Sequence, residues 1–291
     1  MAAASPGSPP RSAPARARLI DLLDRYDGVL LDSFGVLTDG QGALPGAAAL
    51  LAELRRRALP FLVVTNDASR RDATNAARFR RFGLDIPAES ILSAGDLIAP
   101  HFAAHGLAGA RCLVLGTDDS RALVAEAGGV VLPVDPAGDY DAVVVCDDDG
   151  FPFLDGLNAA LSVLFRAFDQ DRSLHLLLPN PDLVYPAGGG AFGFTSGAIV
   201  TLLEAALARR HPHQGATFVR LGKPHHPIFD EARRRLGQDR LLMIGDQLET
   251  DIAGARAAGL DAALLVTGVT RWSEGAIDPA AAPTYLLESL A

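Results

Sequence analysis

Cysteine is nearly missing from this chain: its 291 residues contain only Cys112 and Cys146, each set among apolar neighbours. A disulfide framework is thereby excluded. Two buried thiols in a reducing cytosol are the expectation, so the compartment is read as cytoplasmic. Basic charge is also scarce. Lys and Arg total 26 against 35 Asp and Glu, for a formal net charge of −9. A general nucleic-acid binder needs a basic face, so no nucleic-acid partner is expected. Long apolar runs are lacking as well; none is long or continuous enough to span a bilayer, and no membrane partner is expected. The first residues, Met1 to Arg18, lack acidic side chains and the apolar centre of a secretory signal. Their Ala, Pro, Ser and Arg content has a faint transit-peptide character, but residues 1–18 are read as a disordered tail.

What is present is a regular α/β alternation. Val29-Leu30-Leu31 reads as a buried strand that ends at Asp32. Pro45 then opens a helix through Leu59, and Phe61 to Val64 form a second strand finishing at Thr65-Asn66. Ser69 is expected to cap a helix that stops near Gly83. This rhythm predicts a parallel sheet covered by helices on both faces. The middle of the chain repeats it, with strands at Arg111–Leu115, Ala142–Val145 and Leu174–Leu178. Roughly 120 such residues suffice for a second α/β domain, placed at residues 95–214 between Gly-bearing and His/Pro-bearing segments. Residues 19–94 and 215–291 then form one discontinuous core. In its last part, strand Leu241–Ile244 opens onto Gly245-Asp246 and, five residues on, Asp251.

One glycine pattern has to be set aside. Gly188, Gly190 and Gly193 match the spacing of a dinucleotide-binding turn, but that turn follows a strand directly and opens a helix. Here roughly nine residues separate Leu178 from Gly188. A flexible loop near a ligand is the reading, with a structural turn as the alternative.

The strand ends carry the chemistry. In open α/β sheets the working site lies beyond the carboxyl ends of the strands. Those ends offer Asp32, Thr65 with Asn66, Lys223, and the pair Asp246 and Asp251. Asp32 alone could merely cap a loop, and Lys223 alone could be a surface lysine. Together, several converging carboxylates repel one another and need a divalent cation or a lysine to stay ionised. A hard cation, a lysine and a hydroxyl or amide donor make a phosphoryl-binding site.

This set resembles the haloacid dehalogenase superfamily over nearly the whole chain after the tail. The strings that carry the likeness are Asp32 to Leu37, Asn180-Pro181-Asp182, the Gly197-containing helix start, Gly222-Lys223-Pro224, and Gly245-Asp246 through Thr250-Asp251. The inserted domain is similar to the large cap of the class IIA branch, which includes nitrophenylphosphatase-like, NagD-like and pyridoxal-phosphate-phosphatase-like enzymes. The resemblance implies a Rossmann-like parallel-sheet core with an inserted α/β cap. It also implies a Mg²⁺-dependent phosphatase acting on a small-molecule phosphate ester, with a homodimer through the cap as a further expectation. Asp32 would be the nucleophile and form an aspartyl-phosphate. Mg²⁺ would be held by Asp32, the Phe34 backbone carbonyl and Asp246, with Asp251 ordering its waters or Lys223. Thr65, Asn66 and Lys223 would bind the phosphoryl group. Asn180 and Asp182 would face the core from the cap and help select substrate.

The chain departs from the family at one point. Phosphatases of the superfamily carry a second Asp two residues after the nucleophile as general acid and base, and this position is Phe34. Slow turnover, or restriction to good leaving groups, is the expectation, with Asp39 the nearest substitute proton donor. Two alternatives stay open: a phosphate-ligand-binding protein without efficient turnover, and a dehalogenase- or phosphonatase-type hydrolase. Dehalogenases also lack the second Asp but need no metal, so Asp246 and Asp251 speak against that branch.

Overall fold

Two parallel sheets organise the chain, which is described by a computed structural model over residues 14–188, 191–268 and 281–290. The first run comprises β1 (Ala15–Arg16), α1 (Leu19–Leu22), β2 (Gly28–Leu31), α2 (Ala47–Arg56), β3 (Phe61–Thr65), α3 (Asp72–Arg81) and β4 (Ile91–Ser93). The inserted run begins with α4 (Ile98–His105), β5 (Arg111–Leu115), α5 (Asp118–Glu126), β6 (Val130–Val131) and β7 (Ala142–Val145). It continues through α6 (Phe153–Asp169), β8 (His175–Leu178), β9 (Val184–Gly188), β10 (Ala191–Phe194), α7 (Ser196–Arg210) and β11 (Val219–Arg220). The chain then returns with α8 (His226–Leu236), β12 (Leu241–Gly245), α9 (Ala253–Ala257), β13 (Asp261–Leu265) and β14 (Tyr285–Leu287).

The core sheet has seven strands in the order β1-β14-β13-β12-β2-β3-β4, every pairing parallel. The inserted sheet has five, in the order β11-β8-β7-β5-β6, again all parallel. The apolar runs follow from this. Along β2, Val29 and Leu31 point into one buried cluster and Leu30 into another, because both faces of the sheet are covered. The cluster around Leu30 also takes in Cys112, Val114 and Val144 of the inserted sheet, with Ala94, Leu97 and Ile98 from the segment between. Core and insert therefore share apolar packing. Cys112 and Cys146 are buried free thiols, and burial pushes the Cys112 thiol up to about 11.

Four sequence expectations need adjusting. Ala15–Arg16, counted within the tail, pair in parallel with β14 at the edge of the core sheet; residues 1–13 lie outside the described residues. Strand β11 lies past the expected limit at Gln214, yet pairs with β8 in the inserted sheet. The Gly188–Gly193 stretch is no open loop on its flanks: β9 and β10 form an antiparallel ribbon, with Gly189 and Gly190 outside the described residues. Ser69 does not cap α3, which starts at Asp72. Its backbone N–H donates instead to Asp67 Oδ1 at 2.8 Å, an Asx-type turn competing with helix initiation, and its hydroxyl donates to the same oxygen at 2.6 Å. Among the described residues, no helix is long and apolar enough to cross a membrane.

Candidate active site

Strands β12, β2 and β3 are neighbours in the core sheet, so the residues that end them are neighbours too. Asp246 follows β12, Asp32 follows β2, and Thr65 closes β3. Lys223 arrives differently, from the loop after β11 of the inserted sheet. It is the only lysine in the chain; the other basic residues are all arginine.

A side chain from β3's end positions it. Asn66 Oδ1 accepts the Lys223 backbone N–H at 2.7 Å, and Asn66 Nδ2 donates to the Lys223 carbonyl at 2.9 Å. The Lys223 ammonium then donates to Asp32 Oδ1 at 2.5 Å and to Asp251 Oδ1 at 2.7 Å. Asp251 is itself fixed, its Oδ2 accepting the backbone N–H groups of Asp246 and Gln247 at 3.1 Å each. Asp32, Lys223, Asp246 and Asp251 are all buried. Two glycines make the approach possible. A Cβ on Gly245 would lie 2.2 Å from Asp251 Cβ, and one on Gly35, whose φ is +85°, would lie 2.1 Å from Asp246 Oδ2. The second contact shows that Gly35 packs directly against the Asp246 carboxylate.

The electrostatics are one-sided. Three carboxylates, each offering an oxygen within 4.8 Å of the others, face the single ammonium. Burial first, then the charge of Asp251, pushes the Asp32 carboxyl well above the usual range against the pull of Lys223; Asp246 adds to the rise. Burial alone would lower Lys223, but Asp251 and Asp32 outweigh it and hold the ammonium protonated. Carboxylate oxygens gathered this closely form a donor set for a hard divalent cation.

Above this floor lies a cavity of about 440 Å³, a size suited to a small ligand. Thr65 lines it, its Oγ1 accepting from the Asp67 backbone N–H at 3.2 Å. Phe34 lines it with a half-buried ring, where the phosphatases of the family carry a carboxylate. Asn180 and Asp182 reach it from the cap side. Asn180 also braces the turn, donating to Thr195 Oγ1 and accepting from the Asp182 N–H. Asp182 is half-buried and accepts from Asn66 Nδ2 at 2.9 Å, which latches cap to core. Burial raises its carboxyl, while Lys223 and the Asn66 bond draw it back.

Two expectations change here. Asn66 was expected to donate to a phosphoryl group, but both its amide N–H bonds are committed, one to Asp182 and one to Lys223; any such contact falls to its backbone. Asp39 was the substitute proton donor, yet it is exposed and its Oδ1 accepts the backbone N–H groups of Gln41 and Gly42. Those bonds hold its carboxyl below the usual range, which makes it a poor acid.

Sequence reasoning missed much of the cavity wall. Arg70 and Arg78 line it from the core, and Asp147, Asp148 and Asp149 from the end of β7. Burial, then Asp148, pushes the Asp147 carboxyl up to about 7. The run of three aspartates after an apolar strand was a visible signal.

Comparison with known proteins agrees with this geometry. A family profile described as haloacid dehalogenase-like hydrolase matches residues 29–129, and a HAD-hydrolase-like profile matches residues 220–291. The chain belongs to the haloacid dehalogenase-like hydrolases, in their class IIA branch. Chronophin from Homo sapiens is 33% identical over 293 residues, covering 94% of each chain. The structure of a possible sugar phosphatase from Cytophaga hutchinsonii matches at a TM-score of 0.79, with 31% identity over 96% of this chain and 99% of that one. A glycerol phosphate phosphatase from Mycobacterium tuberculosis, solved with magnesium, matches at a TM-score of 0.79, with 28% identity over 92% of this chain and 76% of its own.

Proposed function

We propose that this hydrolase is a Mg²⁺-dependent phosphatase of small phosphate esters, favouring substrates whose leaving group needs no proton. The observation that carries this reading is the buried bridge from Lys223 to Asp32 and Asp251 beneath the cavity. It keeps a cation against the Asp32 carboxylate, next in the chain to Ser33 and Phe34, which line the cavity. The residues suit Mg²⁺: Asp32, Asp246 and Asp251 bring hard carboxylate oxygens within 4.8 Å of one another. Asp32, Asp246 and the Phe34 carbonyl would hold it, with Asp251 behind them. Bound there, Mg²⁺ would supply Lewis-acid charge to the phosphoryl oxygens.

The chain's own groups would do the rest. Asp32 attacks phosphorus; the Asp32–phosphorus bond forms as the bond to the leaving oxygen breaks, and water then hydrolyses the aspartyl-phosphate. Lys223 orients Asp32 through Oδ1 and offsets the charge gathering on the phosphoryl group. Thr65 donates its hydroxyl to a phosphoryl oxygen. Asn66 acts one step back, as the strut that places Lys223. The Phe34 ring cannot give the departing oxygen a proton, and such help is worth roughly 10²–10⁴-fold. Aryl and acyl phosphates leave without it.

The test is steady-state hydrolysis of p-nitrophenyl phosphate, acetyl phosphate and alkyl phosphates, with Mg²⁺ and with EDTA. Mg²⁺-dependent cleavage of the first two is expected, and Asp32→Asn should lower it by roughly a thousandfold or more. Tight phosphate binding without turnover would instead favour the non-catalytic reading. Metal-independent cleavage of a haloacid would move the chain to the dehalogenase type.

A homodimer through the cap belongs to the same proposal. Leu183, Val184, Phe192 and Phe194 expose apolar side chains along the β9–β10 ribbon, a patch that pairing would cover. Sedimentation of wild type and Phe192→Asp should give dimer and monomer; a monomeric wild type overturns it.

A further inference from the structure

A second cluster of ligand-bearing side chains lies away from the cavity. His101 and His105 are one turn apart on α4, so they share a face, and His175 opens β8 beside them. His101 Nε2 and His175 Nε2 are 2.6 Å apart. The His101 and His105 rings stack with centroids 4.1 Å apart, and the His175 ring lies 4.9 and 5.2 Å from theirs. One ring nitrogen of each residue lies within 4.8 Å of one from each of the others. His105 Nδ1 donates to the His101 carbonyl at 2.8 Å. That bond puts its proton on Nδ1 and leaves Nε2 a lone pair, the way a backbone carbonyl orients a metal-ligating histidine.

We propose that His101, His105 and His175 form a binding site for a late first-row divalent cation, of which Zn²⁺ is the type, that staples α4 to β8. Imidazole nitrogen suits Zn²⁺ and its neighbours, whereas Mg²⁺ prefers oxygen, so the two clusters of this chain select different ions. Three nitrogens at about 2.0–2.1 Å from Zn²⁺ in a tetrahedron lie ~3.3 Å apart. The His101–His175 pair need open by less than an ångström to reach this, and the exposed His105 side leaves a position for water.

The site is structural by position. Ile98 and Phe102, at helical spacing next to the two histidines on α4, are buried and anchor that side of the helix. The cavity lies at the carboxyl ends of the cap strands, beside Asp147 and Asn180. His175 is at the opposite end of β8, roughly 10 Å of strand from Leu178.

The experiment is equilibrium dialysis of the full chain against Zn²⁺ in saturating Mg²⁺, with Co²⁺ absorption spectra as a second readout. Wild type should retain one Zn²⁺ that Mg²⁺ does not displace, and Co²⁺ should give the visible bands of a four-coordinate nitrogen site. His105→Gln, at an exposed position, and His175→Ala should each weaken retention at least tenfold. Asp246→Asn should retain the ion. No retained Zn²⁺ in wild type, retention unaffected by both histidine variants, or its loss in Asp246→Asn would overturn the proposal.

Discussion

The floor and the roof of the cavity are both ends of parallel sheets, yet they are built on opposite plans. On the floor, charges are buried and interlocked: Asn66 grips the Lys223 backbone, Lys223 bridges two carboxylates, and Asp251 is pinned by backbone N–H groups. Little there can move without stranding a charge. On the roof, Asp147 and Asp148 crowd each other, and burial and the Asp148 charge raise Asp147 against a single backbone hydrogen bond from Asp148. A locked floor suits chemistry that tolerates little displacement, and a loosely compensated roof suits recognition of variable groups. The same fold yields both because only the core strands receive a lysine from a different sheet.

The largest expected effect is at the lock. Lys223→Met leaves Asp32 and Asp251 buried without their cation and should cost about 3–5 kcal/mol, read from urea unfolding in EDTA. A loss below about 1 kcal/mol would mean that the bridge does not hold the floor. Next comes the metal. Mg²⁺ at a hundred times its Kd should stabilise wild type by about 2.7 kcal/mol, and Asp246→Asn should remove most of that shift in Tm. An unchanged shift would take Asp246 out of the metal site.

A smaller effect is expected at Phe34, on the boundary between floor and roof. Phe34→Asp should raise alkyl phosphate hydrolysis by about tenfold and narrow the gap to aryl substrates. If wild type already cleaves both alike, another group supplies the proton. With Asp39 tied to its own loop, Asp147 would be the residue to examine. The smallest effect concerns the roof. A folded Asp147 at about 7, against an ordinary 3.8, binds protons that the unfolded chain has lost. Its stabilisation is full below the ordinary carboxylate range and disappears as pH rises through 7. Asp147→Asn should therefore gain Tm relative to wild type between pH 5 and pH 8, by roughly 2 °C. A gap that shrinks with pH would reverse the assignment.

Much of the floor was legible without coordinates. Apolar runs placed Asp32, Thr65 and Asp246 at strand ends, and a parallel sheet puts its strand ends on one side, so periodicity put them at one edge of the sheet; the adjacency of β12, β2 and β3 brought them together. Spacing also made Asp251 a partner of Asp246. Roles that depend on a partner were not legible. Asn66 looked like a phosphate donor because it follows Thr65, but its amide is spent on Lys223, 157 residues away. Asp39 looked available because it is close to Phe34, and its own loop takes its oxygen.

By itself, then, the sequence determined the α/β alternation, the inserted second sheet and the set of charged strand ends, since hydrophobic period and turn residues act over a few positions. Only tertiary structure decided what those ends touch. The Lys223–Asp32 contact spans 191 residues and the His101–His175 contact 74. Distances of that kind are set by strand order and by how one sheet packs on another, which no local pattern encodes. Hydrogen bonds then choose among the groups brought near, giving Asp32 a lysine and Asp147 no cation to offset its burial.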